Sequence, residues 1–271
     1  MILWCAYCQT FLREEPPYDD PLISHGICAT CAQRFQDDDG LVDRTEELRD
    51  LMTRIFDCAR RAEMTAIPAL IEEARVRGVT PASLLIGFLQ PALYRIGQAW
   101  HAGSVTVAEE HRFTAWCETF LAQLPARRSA TSQVDVLILV LPSNAHTLGA
   151  RFAAELLEAR GISTQVIVPG IPTTDAVKEV ERLRPAIVGL SCALPSSLPE
   201  ADALVAQLRE LIDPSWQGRF LLAGMALRDA DASWTSKAGA SVAITLDDVE
   251  RELTATRRAL SGVDVGPLAL G

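Results

Sequence analysis

With 271 residues, 49% of them apolar, the chain can fill two modest domains and is not disordered. Its net charge of −10 argues against a general nucleic-acid binder, whose affinity rests on neutralising phosphates with Lys and Arg. The longest apolar run, Val136 to Pro142, is too short to span a bilayer, and Met1 to Tyr7 lacks the pattern of a secretory signal. The expected compartment is therefore the cytoplasm, where seven cysteines point to metal binding or buried thiols more than to disulfides.

Residues 1–40 form the first segment. Cys5-Ala-Tyr-Cys8 is followed, nineteen residues on, by Cys28-Ala-Thr-Cys31. Two such tight pairs offer four thiolates to one tetrahedral zinc ion. His25 is a possible substitute ligand, and four unrelated cysteines in a short arm is the competing reading. Four thiolates leave no open coordination position, so the expected role is structural: the metal folds a segment too small for its own core. The stretch is similar to short Cys-x-x-Cys … His-Gly-Ile-Cys-x-x-Cys modules attached to bacterial signalling proteins, which implies a zinc-ribbon-like unit. Three aspartates and a glycine in 36–40 then read as a linker.

Residues 41–126 carry a helical period. Leu48, Leu51, Met52, Ile55 and Phe56 mark a first helix, and a second covers about Ala66 to Arg77 and stops at Gly78. Thr80-Pro81 reads as an N-cap with Pro at the first helical position of a third helix, which Pro91 kinks and which delivers Trp100 and His101 near its end. Thr106-Val-Ala-Glu109 is a capping box that opens a fourth helix, Val107 to Leu124. Short connections between four helices imply an antiparallel bundle.

After a polar linker, residues 134–262 alternate strand and helix, with a tail at 263–271. Strands are expected at Val134–Leu141, Thr164–Val168, Ala186–Ser191, Arg219–Ala223 and Ser241–Thr245, with helices such as Leu148–Arg160 and Thr174–Leu183 between them and a last one from Asp247 to about Leu260. That alternation predicts a doubly wound parallel sheet, whose ligands bind at the carboxyl ends of the strands. Asn144, His146 and Ser191 all fall at such ends. Gly149 lets the backbone approach something bulky. Asn144 can accept a hydrogen bond from the imidazole nitrogen that a metal leaves unused, and Ser191 can complete the relay. Taken alone, His146 reads first as an ordinary solvent-facing loop histidine.

The whole pattern adds to that reading. Residues 45–262 resemble the cobalamin-binding module in which a four-helix cap precedes a flavodoxin-like, Rossmann-type domain. That family's motif is Asp-x-His-x-x-Gly, then Ser-x-Leu, then Gly-Gly. Here the positions read Asn144-Ala-His146-Thr-Leu-Gly149, then Ser191-Cys-Ala-Leu194, then Ala223-Gly224. The resemblance implies that His146 is the lower cobalt ligand. It also implies that the nucleotide tail of the cofactor passes near Ser191, Leu194 and Gly224. Asn144 stands where the family has an acid, which makes the imidazole a weaker donor, and Ala223 adds a methyl where the family has a first glycine.

Within the bundle, Trp100, nine residues, then Glu110-His111 is similar to the signature of light-sensing cobalamin modules, the CarH-type photoreceptors. The resemblance implies that Trp100 covers a 5′-deoxyadenosyl group and that Glu110 and His111 contact its ribose and base. It further implies that His101 takes the upper cobalt position after light. The residue chemistry is compatible: a flat apolar face, ribose-binding donors and acceptors, and a neutral imidazole. Read one by one, Trp100 is a core aromatic and His101 and His111 are solvated helix surface. Unlike the family's repressors, this chain has a cysteine module where they have a DNA-reading domain. The expectation is a sensor, not an enzyme, that holds adenosylcobalamin and structural zinc and signals through a protein partner such as a transcriptional regulator. No direct DNA or membrane contact is expected. The competing readings are a corrinoid protein that carries methyl groups for a methyltransferase, and zinc-dependent nucleic-acid binding by residues 1–35.

Overall fold

The computed structural model describes residues 2–5, 11–14, 23–26, 28–29, 41–125, 133–228 and 234–261. It divides into two compact units, 1–126 and 127–271. The linkers at 36–40 and 126–132 and the tail 263–271 lie outside the described residues.

The first unit opens with three short strands, β1 (Ile2–Cys5), β2 (Phe11–Glu14) and β3 (Ile23–Gly26). β1 is central, antiparallel to β2 and parallel to β3. The cysteine spacing announced a metal module but not this sheet. Four-residue strands leave too short a period to read.

The helices follow as α1 (Leu41–Arg60), α2 (Ile67–Val76), α3 (Pro81–Leu84), α4 (Gln90–His101) and α5 (Val107–Gln123). Leu48, Leu51, Ile55, Phe113, Trp116 and Phe120 are buried, as the helical period requires. The rings of Phe56 and Phe113 meet at 5.6 Å between α1 and α5. Trp116 Nε1 donates to the Glu63 carbonyl at 3.1 Å, so this tryptophan pins α5 to the turn that follows α1. Thr80 caps α3 by accepting from the Ser83 N–H at 3.1 Å. Between α3 and α4 the chain is continuous through a buried π-helical stretch, Leu85–Leu89. Pro91 cannot donate to the carbonyl four residues back, and its ring would crowd that carbonyl. The wider turn just before it accommodates both facts.

The second unit is a five-stranded parallel sheet with helices on both faces. Its elements are β4 (Val136–Val140), α6 (Leu148–Ala159), β5 (Thr164–Ile167), α7 (Thr173–Leu183), β6 (Ile187–Ser191), α8 (Leu198–Leu211), β7 (Arg219–Ala223), α9 (Met225–Arg228), β8 (Ser241–Ala243) and α10 (Leu246–Ser261). The strand order is β5-β4-β6-β7-β8, which is flavodoxin-like. Successive side chains along β4 point to opposite faces. Leu137 and Leu139 join Val180, Val205 and Leu208 from α7 and α8, while Val136 and Ile138 join Ala154, Leu157 and Leu253 from α6 and α10. Both faces are covered, so β4 reads as a continuous apolar run.

The register aligns the strand ends that matter. Val140 pairs with Ser191, and Ser191 with Ala223, so β4, β6 and β7 finish at one level. The chain reverses its direction of travel across the sheet between β4 and β6. Loops leaving such a pair diverge and open a crevice at the carboxyl edge. No described helix is long and apolar enough to cross a membrane.

Candidate functional site

The loop after β4 lies at that crevice, and its first half is held on three sides. Ser143 donates through its backbone N–H to Glu200 Oε1 at 3.3 Å, and its hydroxyl donates to Glu200 Oε2. Asn144 Nδ2 donates to the Ser191 carbonyl at 3.3 Å. From the β5–α7 side, Gly170 passes so close that a Cβ there would sit 2.7 Å from the Leu141 carbonyl carbon. Only a glycine fits at that distance.

Asn144 also receives His146. The His146 N–H donates to Asn144 Oδ1 at 2.9 Å, and the ring Nδ1 lies 3.3 Å from the same oxygen. The amide orientation follows from its neighbours: the backbone N–H demands the oxygen on one side and the Ser191 carbonyl demands the NH2 on the other. Nδ1 then carries the ring proton, and Nε2 is left with its lone pair. His146 is exposed and Gly149 has open space around it. An imidazole presented through Nε2, its other nitrogen tied to a fixed acceptor, is the usual arrangement of a metal-ligating histidine. The relay reaches Ser191 through its carbonyl and not its hydroxyl.

Gly224 adopts φ +126°, and a Cβ there would meet the Cys192 carbonyl oxygen at 2.2 Å. The Cys192 N–H donates to the Ala223 carbonyl at 2.8 Å, so the ends of β6 and β7 are bound backbone to backbone. The Ala223 methyl packs in the core layer under α6 and α10. Leu194 is half exposed at 50% and opens a single 3-10 turn. Burial, and secondarily the charge of Glu200, pushes the Cys192 thiol up to about 12. It stays protonated and does not compete with the imidazole as a ligand.

Arg151 was not anticipated. It sits in the first turn of α6, five residues after His146, where a cation opposes the helix dipole. Its Nε is buried without a hydrogen-bond partner among the described residues. A buried donor left unpaired in this way has room for an acceptor that the described residues do not supply. The open space at Gly149 and the free Nε2 of His146 leave room at the loop for a metal-bearing cofactor. The residues of this loop fit the implied group.

In the other unit, α4 ends in a Schellman turn. Gly103, at φ +70°, donates to the Trp100 carbonyl at 2.9 Å, and Ser104 to the Ala99 carbonyl at 2.9 Å. Trp100 keeps 47% of its surface exposed, unusual for so large an apolar ring. This is not the core position that a lone tryptophan would suggest. His101 is exposed beside it, with ring centroids 6.4 Å apart at 60°. The capping box at the start of α5 is present in full: the Glu109 N–H donates to Thr106 Oγ1 at 3.3 Å, and the Thr106 N–H to Glu109 Oε2 at 2.8 Å. The Thr106 backbone bond, with its hydroxyl, holds the Glu109 carboxyl below the usual range. Glu110 is half-buried, 3.6 Å from His111 Nε2.

At the N-terminus, Cys5 is buried and the Cys28 N–H donates to its Sγ at 3.4 Å. Cys8 and Cys31 lie outside the described residues, which contain no group of three or more potential metal ligands. Cys58, Cys117 and Cys192 are buried, as expected of small apolar residues.

Comparison with known proteins follows the same division. Residues 51–124 and residues 134–217 match two family models, each described as a B12 binding domain. The HTH-type transcriptional repressor CarH of Myxococcus xanthus is 27% identical over 133 residues, which cover 48% of this chain and 44% of that protein. Trimethylamine corrinoid protein 2 of Methanosarcina mazei is 21% identical over 144 residues, 51% of this chain and 66% of that one. The chain thus spans less than two thirds of either relative. The solved structure of the Methanosarcina barkeri monomethylamine corrinoid protein superposes with a TM-score of 0.62 at 15% identity, over 79% of this chain and 99% of that one, and shares the fold.

Proposed function

We propose that this chain, which carries two B12-binding domains, is a light sensor that holds adenosylcobalamin with His146 as lower ligand and signals to a protein partner. The bound cofactor would supply light absorption and a photolabile bond to its upper group. The chain's own residues do the rest. Asn144 orients His146, Gly149 leaves open space beside it, Gly224 lets the end of β7 close on the Cys192 carbonyl where the nucleotide tail would pass, and Arg151 offers a donor. Trp100, Glu110 and His111 cover the upper group, and His101 stands ready beside it.

The observation that carries this reading over a methyl carrier is the exposed Trp100–His101 pair at a capped helix end, with Glu110-His111 on the next helix. A methyl carrier needs an open upper face and has no use for a broad aromatic cover. The partial match to a transcriptional repressor supports the same choice. The two corrinoid proteins among the relatives keep the methyl carrier as the alternative. In either case the chain is proposed to act as a sensor or carrier, not as an enzyme by itself. The test is an absorption spectrum of protein loaded with adenosylcobalamin, before and after green light. A stable new spectrum with two imidazoles on cobalt is expected. A spectrum unchanged by light, with methyl-group transfer to an added thiol from protein loaded instead with methylcobalamin, would favour the carrier.

For residues 1–40 we infer a structural zinc site with Cys5, Cys8, Cys28 and Cys31. Its support is the parallel pairing of β1 with β3, which sets Cys5 opposite Gly26 and brings the Cys28 N–H to the Cys5 sulfur. Such N–H donation stabilises a thiolate. Elemental analysis should find one zinc per chain. Chelation or Cys28→Ser should unfold this segment and spare cobalamin binding, because the metal carries the folding energy of its own module. Reduced protein purified without metal would rule the site out.

A further inference from the structure

We propose that Thr114 is a positioning residue that makes the upper site select cobalamins whose upper group carries a ribose. The inference rests on the reading of Glu110 given above and names what holds that carboxylate in place. Two acids stand side by side at the start of α5. Glu109 is consumed by the capping box, its carboxylate bound to both the N–H and the hydroxyl of Thr106. Glu110 is the one left to face a ligand, and Thr114 holds it: Thr114 Oγ1 donates to Glu110 Oε1 at 2.8 Å.

That bond is not what a helical threonine does by default. Thr119, Thr254 and Thr256 each give their hydroxyl to the carbonyl four residues back, at 2.8 to 2.9 Å. Thr114 gives it to the side chain four residues back instead. One carboxylate oxygen is thereby occupied, and the rotamer of Glu110 is set. The other oxygen, Oε2, stays on the side of His111 Nε2 at 3.6 Å. An ionised carboxylate with one oxygen anchored and the other available accepts from a vicinal hydroxyl pair without first losing rotamer freedom. A methyl upper group offers nothing to that oxygen.

The experiment compares affinities for adenosylcobalamin and methylcobalamin in the dark, by titration of the full chain, for Thr114→Val, Thr114→Ser and Glu110→Ala. Thr114→Val keeps the shape and removes the donor. It should weaken adenosylcobalamin by roughly fivefold, the scale of one hydrogen bond, and leave methylcobalamin unchanged. Thr114→Ser should restore the preference, and Glu110→Ala should abolish it. Equal weakening of both cofactors by Thr114→Val would mark a merely structural residue and overturn the proposal. So would an unchanged preference in Thr114→Val alongside its loss in Glu110→Ala. If Glu110→Ala also leaves the preference intact, the assignment of Glu110 to the upper group falls, and the proposal with it.

Discussion

His146→Ala is expected to remove histidine ligation of cobalamin and leave the fold in place. The side chain is exposed and belongs to neither core layer, so its loss should change stability by no more than about 0.5 kcal/mol. The loop does not depend on the ring. Ser143 remains bound to Glu200 and Asn144 to the Ser191 carbonyl, and the backbone N–H of residue 146 still reaches Asn144. Only the Nε2 lone pair disappears. Loss of an outer-shell partner lowers metal affinity by about 10- to 100-fold, and loss of the ligand should exceed that. Absorption spectra with excess cofactor, together with a melting curve, measure both halves. A variant that melts like the parent and shows the parent's spectrum would mean that His146 is not the ligand.

The second large effect is expected of His101→Ala after illumination. The upper group should still leave in light, since nothing in that step needs this imidazole. The lit spectrum should then lack the signature of two imidazoles. Trp100 and His101 are consecutive on a helix, so their side chains diverge by about 100°, and the observed ring planes stand 60° apart. In the proposed switch, Trp100 packed on the upper group would hold His101 off, and loss of that surface would let His101 move in. The two states of that switch would hold the cofactor through different residues, which is the differential contact that a switch requires. A lit spectrum identical to the parent's would move the role to another side chain, with His111 the next to replace.

Much of this was legible in the residues. Thr106 and Glu109 announced a helix start three residues apart, and both halves of the box are formed. Thr80-Pro81 did the same for α3. The five parallel strands followed from apolar runs between helical periods, although the first is shorter than its apolar run. Leu141 is fully buried yet lies beyond the ladder, where the backbone of Gly170 crosses it. Periodicity reports burial and not hydrogen bonding, so it overran the strand there. It was also silent on choices that depend on a partner distant in sequence. Asn144 finds the carbonyl of Ser191, 47 positions away, and Ser143 finds Glu200, 57 away. Which of two adjacent acids is spent on the backbone is likewise a matter of geometry. Arg151 carries a local signal of its own, a cation in the first turn of a helix.

The corner between α4 and α5 is closed at both ends, by the Gly103 Schellman turn on one side and the Thr106–Glu109 box on the other. Helix termini finished in this way resist fraying, because the end groups that would otherwise peel away are already hydrogen-bonded. A pull on His101 therefore meets a stiff elbow. It turns the corner as one piece and carries the start of α5, with Glu110 and His111, along with it. In the proposed sensor, a movement of His101 would therefore reach Glu110 and His111 undamped, with no slack taken up at the corner between them.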